Sequence, residues 1–193
     1  MLKYEIHRKG IHIASAAIPL SSYFLPKETL IFLLSLATIL FVSIDYVRRF
    51  LPGLQLFFGW IAGYAMREAE EQNQRITGAS WVLIGYLTVL ILFPLNIAVP
   101  AMLLLAWCDS AAALVGQSWG KHRWYKNYTL EGTLAFILIG MAIFIIGFPE
   151  FPYWQVLIVV VLTAFGETLV SFLDDNLFIP LFSASLLYLF TFF

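Results

Sequence analysis

Cysteine is almost missing from the chain: Cys108 stands alone among 193 residues, inside an apolar run. No internal disulfide can form, Cys108 reads as a packing residue, and the redox compartment stays undetermined. Charge is nearly as scarce, with Asp, Glu, Lys and Arg together at 12% and a formal net charge of -1. A nucleic-acid binder needs a positive field to exchange for counterions, so nucleic acid is excluded as a partner. Low-complexity tracts, Gly/Ser linkers and internal repeats are also absent, and residues 1–193 read as one domain.

What fills the chain instead is apolar surface. Hydrophobic residues make up 61% and the mean hydropathy is +0.86, so a water-soluble globule would have to expose far too much of them. The solvent for this chain is lipid. Apolar runs near 11–26, 29–45, 79–95, 97–117, 132–149, 153–172 and 176–193 are each close to the length that crosses a bilayer as a helix. Lys3, Arg8 and Lys9 before the first run imitate the start of a secretory signal, but the spans that follow make Ile13–Leu25 more simply the first of them.

An eighth stretch, Phe50–Met66, carries Pro52, Gly53, Gln55, Gly59 and Gly63, poor residues for a helix interior. Charge decides its place. If it does not cross, ten of the eleven Lys and Arg residues share one side and only Lys27 lies opposite; if it crosses, they split five against six. The positive-inside rule selects the first arrangement. The expectation is an all-α polytopic membrane protein with about seven transmembrane helices, an interfacial amphipathic segment at Phe50–Met66, a cytoplasmic N-terminus and an outside C-terminus.

The outer connections are short and nearly featureless, so chemistry belongs to the cytoplasmic face. Three constellations stand there. Asp109 lies eight residues before Gln117 and hence roughly 12 Å deeper in a regular helix. A carboxylate at such depth costs roughly 2.5–3.5 kcal/mol and calls for a partner, a metal ion or a wet cavity. Gly116 and Gly120, with Lys121, Arg123 and Lys126 after them, suit a phosphate cradle; a small-residue packing face followed by a positive-inside loop explains them equally well.

The second constellation is Asp174-Asp175-Asn176, with Glu167 about two turns earlier. Such hard oxygen ligands suit Mg²⁺, while the bland alternative is a polar turn in which Asp175 or Asn176 caps the last helix. The third is Glu5, Arg8, Lys9 and His12, spaced along one helical face, where Arg8 and Lys9 serve either a phosphate or membrane topology. The run from Arg67 to Glu71 reads as a solvated face.

In these residues the chain resembles the polyprenol, dolichol and phytol kinases, which use CTP and are related to phosphatidate cytidylyltransferases. The resemblance rests on five pieces in order. They are Glu5-x-x-Arg8-Lys9-x-x-His12, Arg67 with its acids before Gly78 to Gly85, Asp109 through Gly120-Lys121, Thr129-x-Glu131-Gly132, and Asp174-Asp175-Asn176-x-x-x-Pro180. It implies that the loop from Lys121 to Gly132 binds CTP and that Mg²⁺ assists. One departure stands out: Tyr128 holds the place of the family's usual Lys, with Lys126 two residues earlier.

The cytidylyltransferases share the middle pieces but carry a later His- and Arg-containing signature, and here no His follows His122 and no Arg follows Arg123. The expectation is therefore a kinase that moves the terminal phosphate of CTP to an isoprenoid alcohol or diacylglycerol. Asp109 with Asp174 or Asp175 would hold Mg²⁺, Lys121 with Arg8 or Lys9 would neutralise charge, and Glu131 would shape the loop. Glu167, Asp175 or His12 would orient the lipid hydroxyl or take its proton. A phosphatidate cytidylyltransferase and a small transporter are the competing readings, and homo-oligomerisation is left open.

Overall fold

The computed structural model describes residues 2–48, 50, 76–126, 128–170 and 173–192, with side chains from residue 6 onward. The interfacial segment expected at Phe50–Met66 and the run from Arg67 to Glu71 fall, apart from Phe50, outside the described residues. Helix α1 spans Leu2–Ala14 and is inverted relative to a soluble helix. Lys9 and His12 are buried while Ile6, Ile11 and Ile13 are exposed. That orientation is the stable one in lipid, where polar groups must find partners inside the protein.

The first apolar run, expected as one span over 11–26, is not one helix. α1 ends at Ala14, a one-turn α2 covers Ala17–Leu20, and a 3₁₀ turn covers Ser21–Tyr23. Ser15 stands at the break: its hydroxyl donates to the His12 carbonyl at 2.6 Å and pairs with the Tyr86 hydroxyl at 3.0 Å. Pro26 then precedes α3, Lys27–Val47, whose Glu28 favours the positive end of the helix.

The other six runs each appear as a helix. α4 is Gly78–Leu92, capped by Thr77. Leu95–Trp119 is one continuous helix of 25 residues made of α5 (Leu95–Leu103), a π-helical stretch (Leu104–Asp109) and α6 (Ser110–Trp119). α7 is Leu130–Gly147, α8 is Tyr153–Leu169 and α9 is Asp175–Phe190. Among the described residues Lys27–Val47, Leu95–Trp119 and Leu130–Gly147 are long and apolar enough to cross a bilayer, and α4, α8 and α9 are shorter apolar helices.

Helix Leu95–Trp119 is the axis of the bundle. α1, α4, α7 and α9 pack against it, α8 joins α7 to α9, and α3 leans on α4 at the margin. Phe32, Leu36, Ile39 and Leu40 of α3 stay exposed, a lipid-facing surface. Glycine sets two of the crossings. A Cβ on Gly140 would stand 2.7 Å from the Val160 side chain, and one on Gly85 would collide with the backbone oxygen of Asn176, so Val160 of α8 packs onto the bare backbone of α7, and α4 and α9 approach at backbone distance. The expected all-α fold needs one addition: Arg123–Tyr125 (β1) and Tyr128–Thr129 (β2) form a short antiparallel ladder in the loop between α6 and α7.

Candidate active site

The inverted face of α1 meets the end of the π stretch. Lys9 is 2% exposed, and its ammonium donates to Asp109 Oδ2 at 2.5 Å across 100 residues of sequence. His12 Nδ1 stands 3.9 Å from the same oxygen, and the charge of Arg8 also acts on Asp109. Three cationic or protonatable groups thus surround one partly buried carboxylate, the partner that its depth required. Glu167 completes the group from the last turn of α8. It is 7% exposed, and the charges of Asp109, Asp175 and Lys9 all reach it. Its Oε2 has no hydrogen-bond partner among the described residues.

Within the loop from Lys121 to Gly132, β1 and β2 pair as a short antiparallel hairpin. At its base the Leu130 N–H donates to the His122 carbonyl at 2.9 Å. The Glu131 carboxylate accepts from the His122 N–H at 3.3 Å and meets the His122 ring at 2.7 Å. Trp124 points inward, donating its indole N–H to Thr133 Oγ1 at 3.2 Å and packing on Phe165 at 5.1 Å. Its neighbours Arg123 and Tyr125 face out with Lys121 and Lys126. Lys126 sits at the turn with φ of 45° and lies 5.1 Å from the Tyr125 ring centre.

Thr129 caps α7 by accepting from the Gly132 N–H at 3.1 Å. Gly116, Gly120 and Gly132 close around that threonine. A Cβ at Gly132 would lie 2.7 Å from the Ala112 carbonyl oxygen, one at Gly116 3.0 Å from Thr129 Oγ1, and one at Gly120 would run into the Gly116 carbonyl. Of the two readings left open for these glycines, helix packing is the one on view: they let α6 and α7 touch and hold the hairpin at their joint end.

Asp174, not Asp175 or Asn176, caps the last helix, accepting from the Asn176 N–H at 3.1 Å. Asn176 is buried and donates its amide to the Gly78 carbonyl at 3.3 Å, tying α9 to α4. Asp175 begins α9 and faces Glu167 electrostatically. Among the described residues no three His, Cys, Asp or Glu side chains stand at metal-ligating spacing, so Asp109, Asp174 and Asp175 do not form a three-ligand cage. The structure brings together Arg8, Lys9, His12, Asp109, Glu167 and Asp175, and separately Gly116, Gly120, Thr129, Glu131 and Gly132.

Comparison with known proteins supplies the family. The chain is 35% identical over 208 residues to CTP-dependent diacylglycerol kinase 1 of Schizosaccharomyces pombe, an alignment covering 97% of this chain and 94% of that one. The chain belongs to the CTP-dependent lipid kinase family. A second protein of the same name, from Saccharomyces cerevisiae, is 26% identical over 72% of this chain and 49% of its own length. A phytol kinase of Synechocystis is 34% identical over 43% of this chain and 40% of its own. No protein-family model and no solved structure matches the chain.

One polar cluster of this CTP-dependent lipid kinase family member escaped the sequence reading. Asp45, 4% exposed near the end of α3, accepts at Oδ2 from the Thr77 N–H and hydroxyl, each at 2.8 Å, and from the Ser80 hydroxyl at 2.7 Å. Arg48 lies 3.1 Å from its other oxygen. The signal was there, a carboxylate at the last position of an apolar run, but it passed for the polar edge of a span. His122 and Trp124 were missed as well, because a loop read only for charge hides its pairing.

Proposed function

We propose that this chain transfers the terminal phosphate of CTP to the hydroxyl of a membrane lipid, with diacylglycerol as the acceptor, at the cytoplasmic face of a multi-pass protein. The observation that carries the reading is the convergence of Lys9, Arg8 and His12 from α1 with Asp109 from the middle of the chain and Glu167 from α8. Phosphoryl transfer asks for positioning and for positive charge around the moving group rather than covalent chemistry. A buried cation layer over carboxylates, beside a basic hairpin, answers that demand. Diacylglycerol is favoured over an isoprenoid alcohol because the similarity to a diacylglycerol kinase runs through 97% of the chain and that to a phytol kinase through 43%.

In this reading Lys121 and Lys126 on the exposed side of the hairpin receive the phosphates, and the Glu131–His122 pairing keeps that side open. Lys9 and Arg8 neutralise the charge that gathers on the transferring group. Mg²⁺ fits the donor set, because it needs only one or two carboxylates when nucleotide phosphates and water complete its shell. Asp109 and Asp175, hard oxygen donors that both act on Glu167, would hold it. When bound, the ion supplies charge neutralisation at the phosphate oxygens.

Purified protein given CTP and a short-chain diacylglycerol should yield CDP and the lipid monophosphate. Pyrophosphate with a CDP-lipid would overturn the kinase reading in favour of cytidylyl transfer. Turnover with phytol or polyprenol but not diacylglycerol would overturn the acceptor alone.

A further inference from the structure

Glu167 Oε2 is a buried polar atom with no hydrogen-bond partner among the described residues; the two other atoms in that position, His12 Nδ1 and Arg48 Nε, each stand beside a carboxylate. An orphaned buried acceptor is costly, and in native structures it points to a missing ligand or to chemistry. The hydroxyls nearest on the same helix are turned elsewhere: Thr163 donates to the Val159 carbonyl and Thr168 to the Phe165 carbonyl, each at 2.7 Å. Lys9, the cation whose charge reaches Glu167, is already bound to Asp109 at 2.5 Å. Among the described residues Glu167 Oε2 has no donor.

The surroundings narrow the donor. α8 shows lipid an apolar stripe of Leu162, Phe165 and Leu169, all exposed, and Glu167 lies off that stripe, among Cys108, Asp109 and Asp175. A ligand reaching it from the membrane needs an apolar body and a small donor at its head. A water-borne nucleotide, by contrast, meets the basic hairpin first. We infer that Glu167 binds the hydroxyl of the acceptor lipid, its Oε2 receiving the O–H hydrogen bond. The inference rests on the kinase reading above and deepens it by naming the acceptor subsite. Of the three residues that sequence left in contention for this role, His12 stands against Asp109 and Asp175 opens α9.

The test compares binding of dioctanoylglycerol with that of its O-methyl ether, which keeps the shape and loses the donor, to the purified protein without nucleotide. Leaving a buried acceptor unsatisfied is costly enough that the alcohol should bind about tenfold or more tighter than the ether. Glu167→Ala should erase that preference, and Glu167→Gln, which keeps a carbonyl acceptor, should retain part of it. An unchanged preference in Glu167→Ala would overturn the inference, as would an unchanged preference joined to a raised Mg²⁺ requirement for turnover, which would make Glu167 a metal ligand. Glu167→Met offers an independent readout: removing an orphaned carboxylate should leave the unliganded protein as heat-stable as the parent or more so, while turnover falls. A marked loss of heat stability in Glu167→Met would mean the carboxylate is paired, and would sink the proposal. Should the parent protein show no CTP-dependent product at all, the kinase reading fails; should only the Glu167 variants behave as the parent, the subsite alone fails.

Discussion

Two buried carboxylates, Asp45 near the end of α3 and Glu167 near the end of α8, lead different lives. Asp45 at the α3–α4 junction takes three hydrogen bonds on one oxygen and an arginine on the other. Glu167, also buried, leaves an oxygen without a partner among the described residues and shares its surroundings with two further acids. The first arrangement is complete within the chain, and a complete polar junction stabilises a fold. The second is incomplete, and a fold carries such a deficit where a ligand relieves it. Asp109 stands between the two cases, bound to Lys9 yet close to Glu167.

The contrast can be broken from either side. Asp109→Asn should reduce CTP-dependent turnover per folded molecule by about 10²-fold or more, the scale seen when one preorganised electrostatic group is lost, while stranding the buried Lys9 ammonium also lowers the unfolding temperature. If the variant instead unfolds with its activity per folded molecule intact, Asp109 belongs with Asp45. Asp45→Ala should do the reverse. Stranding Arg48 without its acid should cost about 3–5 kcal/mol of stability, measured by denaturant unfolding in detergent, while the folded fraction keeps its kcat.

Smaller effects sharpen the boundary between scaffold and site. Gly132→Ala pushes a methyl onto the Ala112 carbonyl and should cost about 1–3 kcal/mol by overpacking the α6–α7 contact. Its KM for CTP should rise because the hairpin hangs on that joint. A KM that stays put would separate the glycines from nucleotide binding. Lys126→Gly is the mildest change: it relieves the positive φ and should stabilise by at most about 1 kcal/mol, so any rise in KM for CTP measures the lost charge alone.

Six of the seven apolar runs were legible as helices because lipid rewards unbroken apolar sequence wherever it occurs. The first run misled for a reason rooted in the same solvent. Ile11, Ile13 and the residues after them look like the start of a span, whereas the helix that matters begins at Leu2 and turns its charged face inward to Asp109. Hydropathy scores content, not the side it faces. Arg8, Lys9, His12, Asp109 and Glu167 were each named from sequence, yet their assembly depends on contacts spanning about a hundred residues or more, which no spacing displays. The partners of the hairpin glycines, the Thr129 cap and the Ala112 carbonyl, were likewise not legible in spacing.

The π stretch at Leu104–Asp109 gives the axial helix a count as well as a composition. One additional residue in a turn advances the helical phase by about 100°, so everything after the stretch is rotated relative to a plain α-helix of the same sequence. A plain α-helix over the same residues would be no less apolar, would still span, and would reach the same basic hairpin. Its Asp109, however, would be dialled away from Lys9. The site is thus keyed to arithmetic along a single helix, and a change of winding that hydropathy cannot notice would disconnect α1 from Asp109.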